Sequence, residues 1–315
     1  MTADLTSEFR VVAFPGAPNL PTFAAIDHGW FRRRGVDVSI ELTPSSIAQA
    51  QRVAAGEFDI AFTAFDNVVA YASGQGAAGE GVDPGYVVIM GATQLELSLV
   101  VDPSVRGHAD LAGRSIALDA LDTGFAFVLY EMLDRAGVDR DRCQLVAVGA
   151  TPQRWHSVRD GTHSATLTIE PFTSVARAAG FDVLDSSTRL FDSYQGGVVT
   201  ARRPVLDEQA GTVRAFVDGY LDGLGWVLEP SNRDAVRELL MSRMDIDPRA
   251  VERVLDSVLS PESGLTPDAE LLTRGIQTVL DLRSRYGPGA ELADVASYTD
   301  VSVWESAIKS RRERD

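Results

Sequence analysis

Apolar positions along the first two thirds of this chain switch repeatedly between period two and a helical period. Arg10–Phe14 is a short apolar run and predicts a strand, and Leu20–Arg34, with Phe23, Ile26 and Trp30 on one face, predicts a helix closed by Gly35. Val38–Leu42 alternates Val, Ile and Leu with Ser39 and Glu41, the pattern of a strand. Ser45–Ala55 carries Ile47, Ala50 and Ala54 at helical spacing and stops at Gly56; Asp59–Thr63 and Tyr86–Thr93 read as further strands. Strand, helix, strand, helix, strand predicts βαβ units and a mostly parallel sheet. Between Ser73 and Gly85 five glycines and a proline mark a surface connection.

A second series starts at Leu97. Leu97–Asp102, Ser115–Asp119, Gln144–Val148 and Ser164–Ile169 read as strands, with a helical stretch after Pro152. Phe125–Ala136 has the clearest helical spacing: Phe125, Val128, Leu129, Met132, Leu133 and Ala136, then Gly137. The two series echo one another. Arg34-Gly35-Val36-Asp37 matches Ala136-Gly137-Val138-Asp139, and Thr43-Pro44 matches Thr151-Pro152, with strands and helices in the same order. Two similar α/β lobes are therefore expected. After Gly197–Thr200 the pattern turns mostly helical, with apolar stripes over Val213–Leu228, Val251–Leu259 and Leu271–Leu282 that read as core faces.

Composition narrows the function classes. The 315 residues suffice for two medium lobes, and no stretch approaches the roughly 20 apolar residues of a membrane span, so no membrane insertion is expected. A net charge of −16 argues against nucleic acid, whose phosphates repel an acidic surface. The single cysteine, Cys143, rules out an internal disulfide, and the four histidines show no H-x-x-x-H or H-E-x-x-H spacing, so no metal is expected. Neither a phosphate-binding G-x-x-x-x-G-K-[ST] loop nor a G-x-S-x-G elbow is present, and no cofactor is expected. Met1–Arg10 holds Asp4 and Glu8 and no basic segment followed by an apolar one. As written the sequence predicts a cytoplasmic protein; removal of an export signal would make it periplasmic or extracellular.

Several motifs then carry a family likeness. Pro21-Thr22-Phe23-Ala24-Ala25-Ile26-Asp27-His28-Gly29-Trp30-Phe31 runs into Arg34-Gly35-Val36-Asp37-Val38; Ala55-Gly56-Glu57-Phe58-Asp59-Ile60-Ala61 follows. Leu111-Ala112-Gly113-Arg114-Ser115-Ile116-Ala117, Glu170-Pro171-Phe172 and Tyr298-Thr299-Asp300 come later. In this order they resemble the NMT1/THI5-like family of sulfonate, taurine, nitrate and thiamine-precursor binding proteins. The resemblance implies a type II periplasmic-binding-protein fold, a two-lobed α/β Venus flytrap. Residues 8–95 and 200–315 would form lobe one, and residues 96–199 lobe two. A small-molecule ligand and an ABC permease are the implied partners. Some members of this fold are enzymes, and the desulfinase kind uses an active-site cysteine after an early strand; Cys143 stands elsewhere.

In α/β lobes, ligands sit beyond the carboxyl ends of the strands and at helix N-termini. Those positions in lobe one are Asn19, Thr43, Ser45, Ser46, Phe65, Asp66, Asn67, Thr93 and Gln94. In lobe two they are Asp119, Asp122, Thr123, Phe125, Trp155, Glu170, Phe172 and Tyr194. Ser45, Ser46, Asp66 and Thr123 are also ordinary helix N-caps. The set holds four carboxylates and, with the neighbouring stretch from Thr151 to Trp155, one basic group, Arg154. That balance favours a neutral, amine-bearing or aromatic heterocyclic ligand over a sulfonate, nitrate or dicarboxylate, which arginines usually hold. Two functions are expected from this. One is a solute-binding protein of ABC-transporter type, or a cytosolic derivative, closing on its ligand. The other is a cytoplasmic lyase or decarboxylase in which Glu170 or Asp66 serves as the proton donor.

Overall fold

The computed structural model describes residues 7–289 and 292–314. Most of Met1–Arg10, on which the reading of the N-terminus rests, lies outside them. Strands β1 (Ser7–Ala13), β2 (Val36–Leu42), β3 (Ile60–Ala64) and β4 (Tyr86–Thr93) alternate with helices α1 (Leu20–Asp27), α2 (Ser46–Ala54) and α3 (Phe65–Ala72). The chain crosses over into β5 (Ser98–Val101), β6 (Ser115–Leu118), β7 (Gln144–Ala147), β8 (Ala165–Thr168) and β9 (Asp182–Ser186). Helices α4 (Gly124–Arg135), α5 (Thr151–Arg159), α6 (Phe172–Ala178) and α7 (Ser187–Leu190) accompany them. It returns through β10 (Gly197–Arg202), then continues as α8 (Arg203–Glu208), α9 (Ala210–Leu228), α10 (Arg233–Arg243), α11 (Val251–Val258), α12 (Thr273–Tyr286) and α13 (Ser302–Arg312).

Two five-stranded sheets result, ordered β2-β1-β3-β10-β4 and β7-β6-β8-β5-β9. They share one topology. In each, one strand runs antiparallel to its two neighbours, and it is the first strand after a crossover: β10 in the first sheet and β5 in the second. The repeat read from Gly35-Val36-Asp37 and Gly137-Val138-Asp139 thus corresponds to real structural equivalence. The sheets are mixed rather than purely parallel because each lobe borrows its antiparallel strand from the far end of a crossover. Strand β4 is buried at every position, as a strand covered on both faces must be.

The helical stripes are core faces. On α9, Val213, Phe216, Val217, Tyr220, Leu221 and Leu224 are at most 3% exposed, and α9 lies along α1. A Cβ at Gly223 would fall 2.1 Å from the Pro21 carbonyl oxygen, so glycine there is what lets the two helices approach so closely. The helix expected over Leu20–Arg34 is shorter. It ends at Asp27, Gly29 takes φ +69°, and a single 3-10 turn spans Arg32–Arg34 before Gly35 at φ +76°. A left-handed residue stops an α-helix, and glycine adopts that conformation at little cost.

Helix α12 departs from the expected lobe one assignment, because it lies against α3 of lobe one and α4 of lobe two together. Its Ile276, Val279 and Leu282 share one apolar cluster with Val68 and Val69 on α3 and Phe127 on α4. The two crossovers also touch: the Gly196 amide donates to the Gln94 carbonyl at 3.0 Å. Gln195 ties them further, donating through Nε2 to the Thr93 carbonyl at 3.4 Å, and it accepts at Oε1 from the Leu272 amide ahead of α12 at 2.8 Å.

Candidate functional site

A cavity open to solvent at its mouth has walls from both lobes. Lobe one contributes Phe14 and Asn19 after β1, Phe62 and Thr63 on β3, and Asn67 on α3. Lobe two contributes Asp119 after β6, Thr123 to Phe125 at the start of α4, Ala150 to Thr151 at the start of α5, and Ile169 after β8. Leu95, Gly196 and Gly197 of the crossovers close its floor. Carbonyl-side strand ends and helix N-termini converge from both sides, the arrangement in which α/β sheets hold ligands. The lining is mostly apolar, with few polar groups, as small-molecule sites usually are.

Those polar groups are mostly held by the protein itself. Asn19 donates through Nδ2 to the Phe14 carbonyl at 2.8 Å, and Asn67 donates to Thr63 Oγ1 at 3.0 Å. Thr93 Oγ1 donates to the Gly264 carbonyl at 2.7 Å, and the Thr123 hydroxyl donates to the Ala120 carbonyl. Asp119, from lobe two, accepts the Ser46 amide at the N-terminus of α2 in lobe one, at 3.2 and 3.4 Å.

Arg154 is the exception. It is 2% exposed, and among the described residues no carboxylate bonds to it. Its terminal nitrogens donate to the Gly149 and Leu167 carbonyls and to Thr151 Oγ1, while its enclosed Nε–H meets no acceptor. Burial pushes its pKa down to about 10, partly opposed by the nearby Asp119 carboxylate. The guanidinium stands 5.9 Å over the ring of Phe125, which shares the cavity wall.

Of the residues chosen from sequence, the structure brings Asn19, Asn67, Thr93, Asp119, Thr123 and Phe125 together on the cavity. The others stand elsewhere. Thr43 and Ser46 are buried beside the start of α2, and Ser45 caps that helix by accepting the Ala48 amide. Phe65 is core, edge-on to Tyr298. Asp66 is buried in an ion pair with Arg283. Gln94 donates to the Pro261 carbonyl on a separate crevice, and the Asp122 side chain points to solvent. Trp155 is buried against Phe181 with Phe172 beside it, and Tyr194 is buried against Phe191.

Glu170 faces a small crevice with Pro18, Thr93, Leu95 and Glu96 rather than the main cavity. Its carboxylate accepts from the Ser174 hydroxyl and amide, and burial nonetheless pushes its pKa up to about 7. Phe14, Phe62 and Ile169 were not singled out from sequence, because apolar residues at strand ends look like core. Arg283 was missed altogether; it sits in a helical stripe with no local mark of its partner.

A family model described as NMT1/THI5 like matches residues 18–232, and the chain belongs to that family. Among solved structures, a protein of Bordetella bronchiseptica RB50 superposes with a TM-score of 0.81 at 20% identity, over 97% of this chain and 98% of its own. The periplasmic nitrate-binding protein NrtA from Synechocystis PCC 6803 gives 0.79 at 13% identity, over 97% and 89%. The alkanesulfonate-binding protein SsuA from Xanthomonas axonopodis pv. citri, bound to MOPS, gives 0.73 at 16% identity, over 93% and 98%. Identities this low establish a shared fold, that of the periplasmic binding proteins. No curated protein sequence matches the chain. Among the described residues no helix is long and apolar enough to cross a membrane.

Proposed function

We propose that this member of the NMT1/THI5-like family is a substrate-binding protein of ABC-importer type, closing its lobes on a small organic molecule for a permease. The observation that carries this reading is the cavity itself: both lobes line it, so a ligand there bridges them and stabilises the closed arrangement by its differential affinity. Phe14, Phe62, Phe125 and Ile169 suit an aromatic or heterocyclic body. The polar end would meet Arg154, whose free Nε–H calls for an acceptor.

Of the four candidate carboxylates only Asp119 lines the cavity, where it stands near enough to Arg154 to favour its charge. An acidic majority no longer places neutral or amine-bearing rings ahead of anions such as sulfonates, so both classes belong in the first screen. Thermal shift is the direct test, since a ligand at 100 times its Kd adds about 2.7 kcal/mol to stability. The absence of a shift with every heterocycle and organic anion tried would count against binding. Cell fractionation of the producing organism separates an exported protein from a cytosolic derivative.

The lyase or decarboxylase reading needs a proton donor within reach of the substrate. Neither Glu170 nor Asp66 lines the cavity, which favours the binding reading.

A further inference from the structure

Asp66 lies at the first turn of α3 in lobe one, yet its carboxylate does not cap its own helix. It accepts the Gly124 amide, at the start of α4 in lobe two, at 2.6 Å. Arg283 of α12 holds the same carboxylate in a two-pronged grip, Nε to Oδ1 and a terminal nitrogen to Oδ2, both at 2.7 Å. The remaining donors of Arg283 reach Gln75 Oε1 in lobe one at 2.8 Å and the Asp122 carbonyl in lobe two at 3.3 Å. Both side chains are 1% exposed. None of these contacts requires a ligand, and neither Asp66 nor Arg283 lines the cavity.

Helix α12 is tied down at both ends. Its N-terminal side is fastened to the second crossover through the bond from the Leu272 amide to Gln195. Its C-terminal end is fastened to α4, where Arg285 donates to Glu131 Oε2 at 2.8 Å and the Tyr286 hydroxyl lies 2.8 Å from the same oxygen. The helix therefore spans from the hinge to the moving lobe, with Arg283 at the seam.

We propose that Arg283 and Asp66 form a built-in closing latch, which places the carboxylate across the lobe gap to receive the N-terminus of α4 and biases the lobes together before any ligand binds. The proposal rests on the reading of the two lobes as parts that move against each other. A helix N-terminus carries partial positive charge, and an oriented carboxylate there is a favourable docking contact. Arg283 and Asp66 are positioning residues in this scheme: they set how much of the protein is binding-competent, and apparent affinity scales with that fraction.

The test uses small-angle X-ray scattering on ligand-free protein, with far-UV circular dichroism as the check on folding. Wild type is expected to scatter as a compact particle with a radius of gyration of about 20 Å, typical of a chain this long. Gly124→Ala is the sharpest variant, because its Cβ would fall 2.6 Å from the Asp66 Cβ across the gap, while alanine suits the first turn of a helix. It should keep wild-type helix content and show a larger radius of gyration. Arg283→Met should open the particle in the same way; if that variant fails to fold, Gly124→Ala decides alone. An extended wild type, or a Gly124→Ala curve that superposes on it, overturns the latch. Because no ligand enters these measurements, an empty ligand screen would count against the binding function without touching this result.

Discussion

Among the described residues two arginines are the largest fully buried side chains, and they are buried in opposite ways. Arg283 has a carboxylate gripped at both oxygens, with Gln75 and the Asp122 carbonyl taking its other donors. Arg154 has carbonyls and one hydroxyl, no bonded carboxylate, and an Nε–H with no acceptor. A buried charge is tolerated when it is paired and hydrogen-bonded, and is costly otherwise. The first arginine is complete within the protein and serves the lobe contact. The second is incomplete at an enclosed Nε while the residue belongs to the cavity wall, and the proposed ligand would have to bring the acceptor it lacks. Burial alone says nothing about function; the state of the partners does.

The largest expected effect falls on the completed pair. Arg283→Met strands the Asp66 carboxylate in the interior and should lower stability by about 3–5 kcal/mol in chemical denaturation. A loss below about 1 kcal/mol would mean the pair is not the closed unit described. Adding Asp66→Asn to that variant should return part of the loss, a double-mutant cycle that isolates the pairing.

Glu170 supplies a buried carboxyl of a third kind, served by Ser174 and by no cation at hydrogen-bonding distance. Its pKa is raised, from 4.5 to about 7, by burial first, with Glu96 adding to the shift and Arg177 opposing it. The folded state thus holds its proton more tightly than the unfolded chain does. The stabilisation is complete below about pH 4.5 and is lost as pH rises through about 7, by at most about 3 kcal/mol. Melting temperature followed across that window should fall in wild type and stay flatter in Glu170→Gln. Parallel curves would remove Glu170 from this account.

Arg154→Met should behave differently from Arg283→Met. Removing a buried cation that no carboxylate pairs should cost the ligand-free protein less than Arg283→Met does, about 1–3 kcal/mol for the acceptors left without its donors. Affinity for whichever ligand the screen returns should fall by about 1.5–3 kcal/mol, the worth of a hydrogen bond to a charged group. Calorimetry reads the second quantity and denaturation the first; a large stability loss with affinity unchanged would reverse the comparison. The smallest effect belongs to Asp119→Asn, which keeps the shape and an acceptor for the Ser46 amide. Its stability cost should stay under about 1 kcal/mol, and a cost near that of Arg283→Met would show Asp119 to be a second latch.

By itself the sequence determined the order of strands and helices, the doubling of one α/β unit and the family. These are local properties: periodicity marks each element, Gly35 and Gly137 stand at equivalent turns ahead of β2 and β7, and the motifs from Pro21 to Phe172 are contiguous strings. It also named Asn19, Asn67, Thr93, Asp119, Thr123 and Phe125, which line one cavity, because strand ends and helix starts can be read from the same periodicity. Strand β9, with Asp182 and Asp185 among its five residues, lacked the apolar run that marks a strand, and only pairing with β5 makes it one. Tertiary structure alone decided which charges stay free. Asp66 and Arg283 are 217 residues apart, and no spacing rule joins them. Yet their pairing takes Asp66 out of the candidate site, and the want of such a partner puts Arg154 into it. Charge neutralisation acts through space at a few ångströms, whereas sequence patterns report neighbours along the chain.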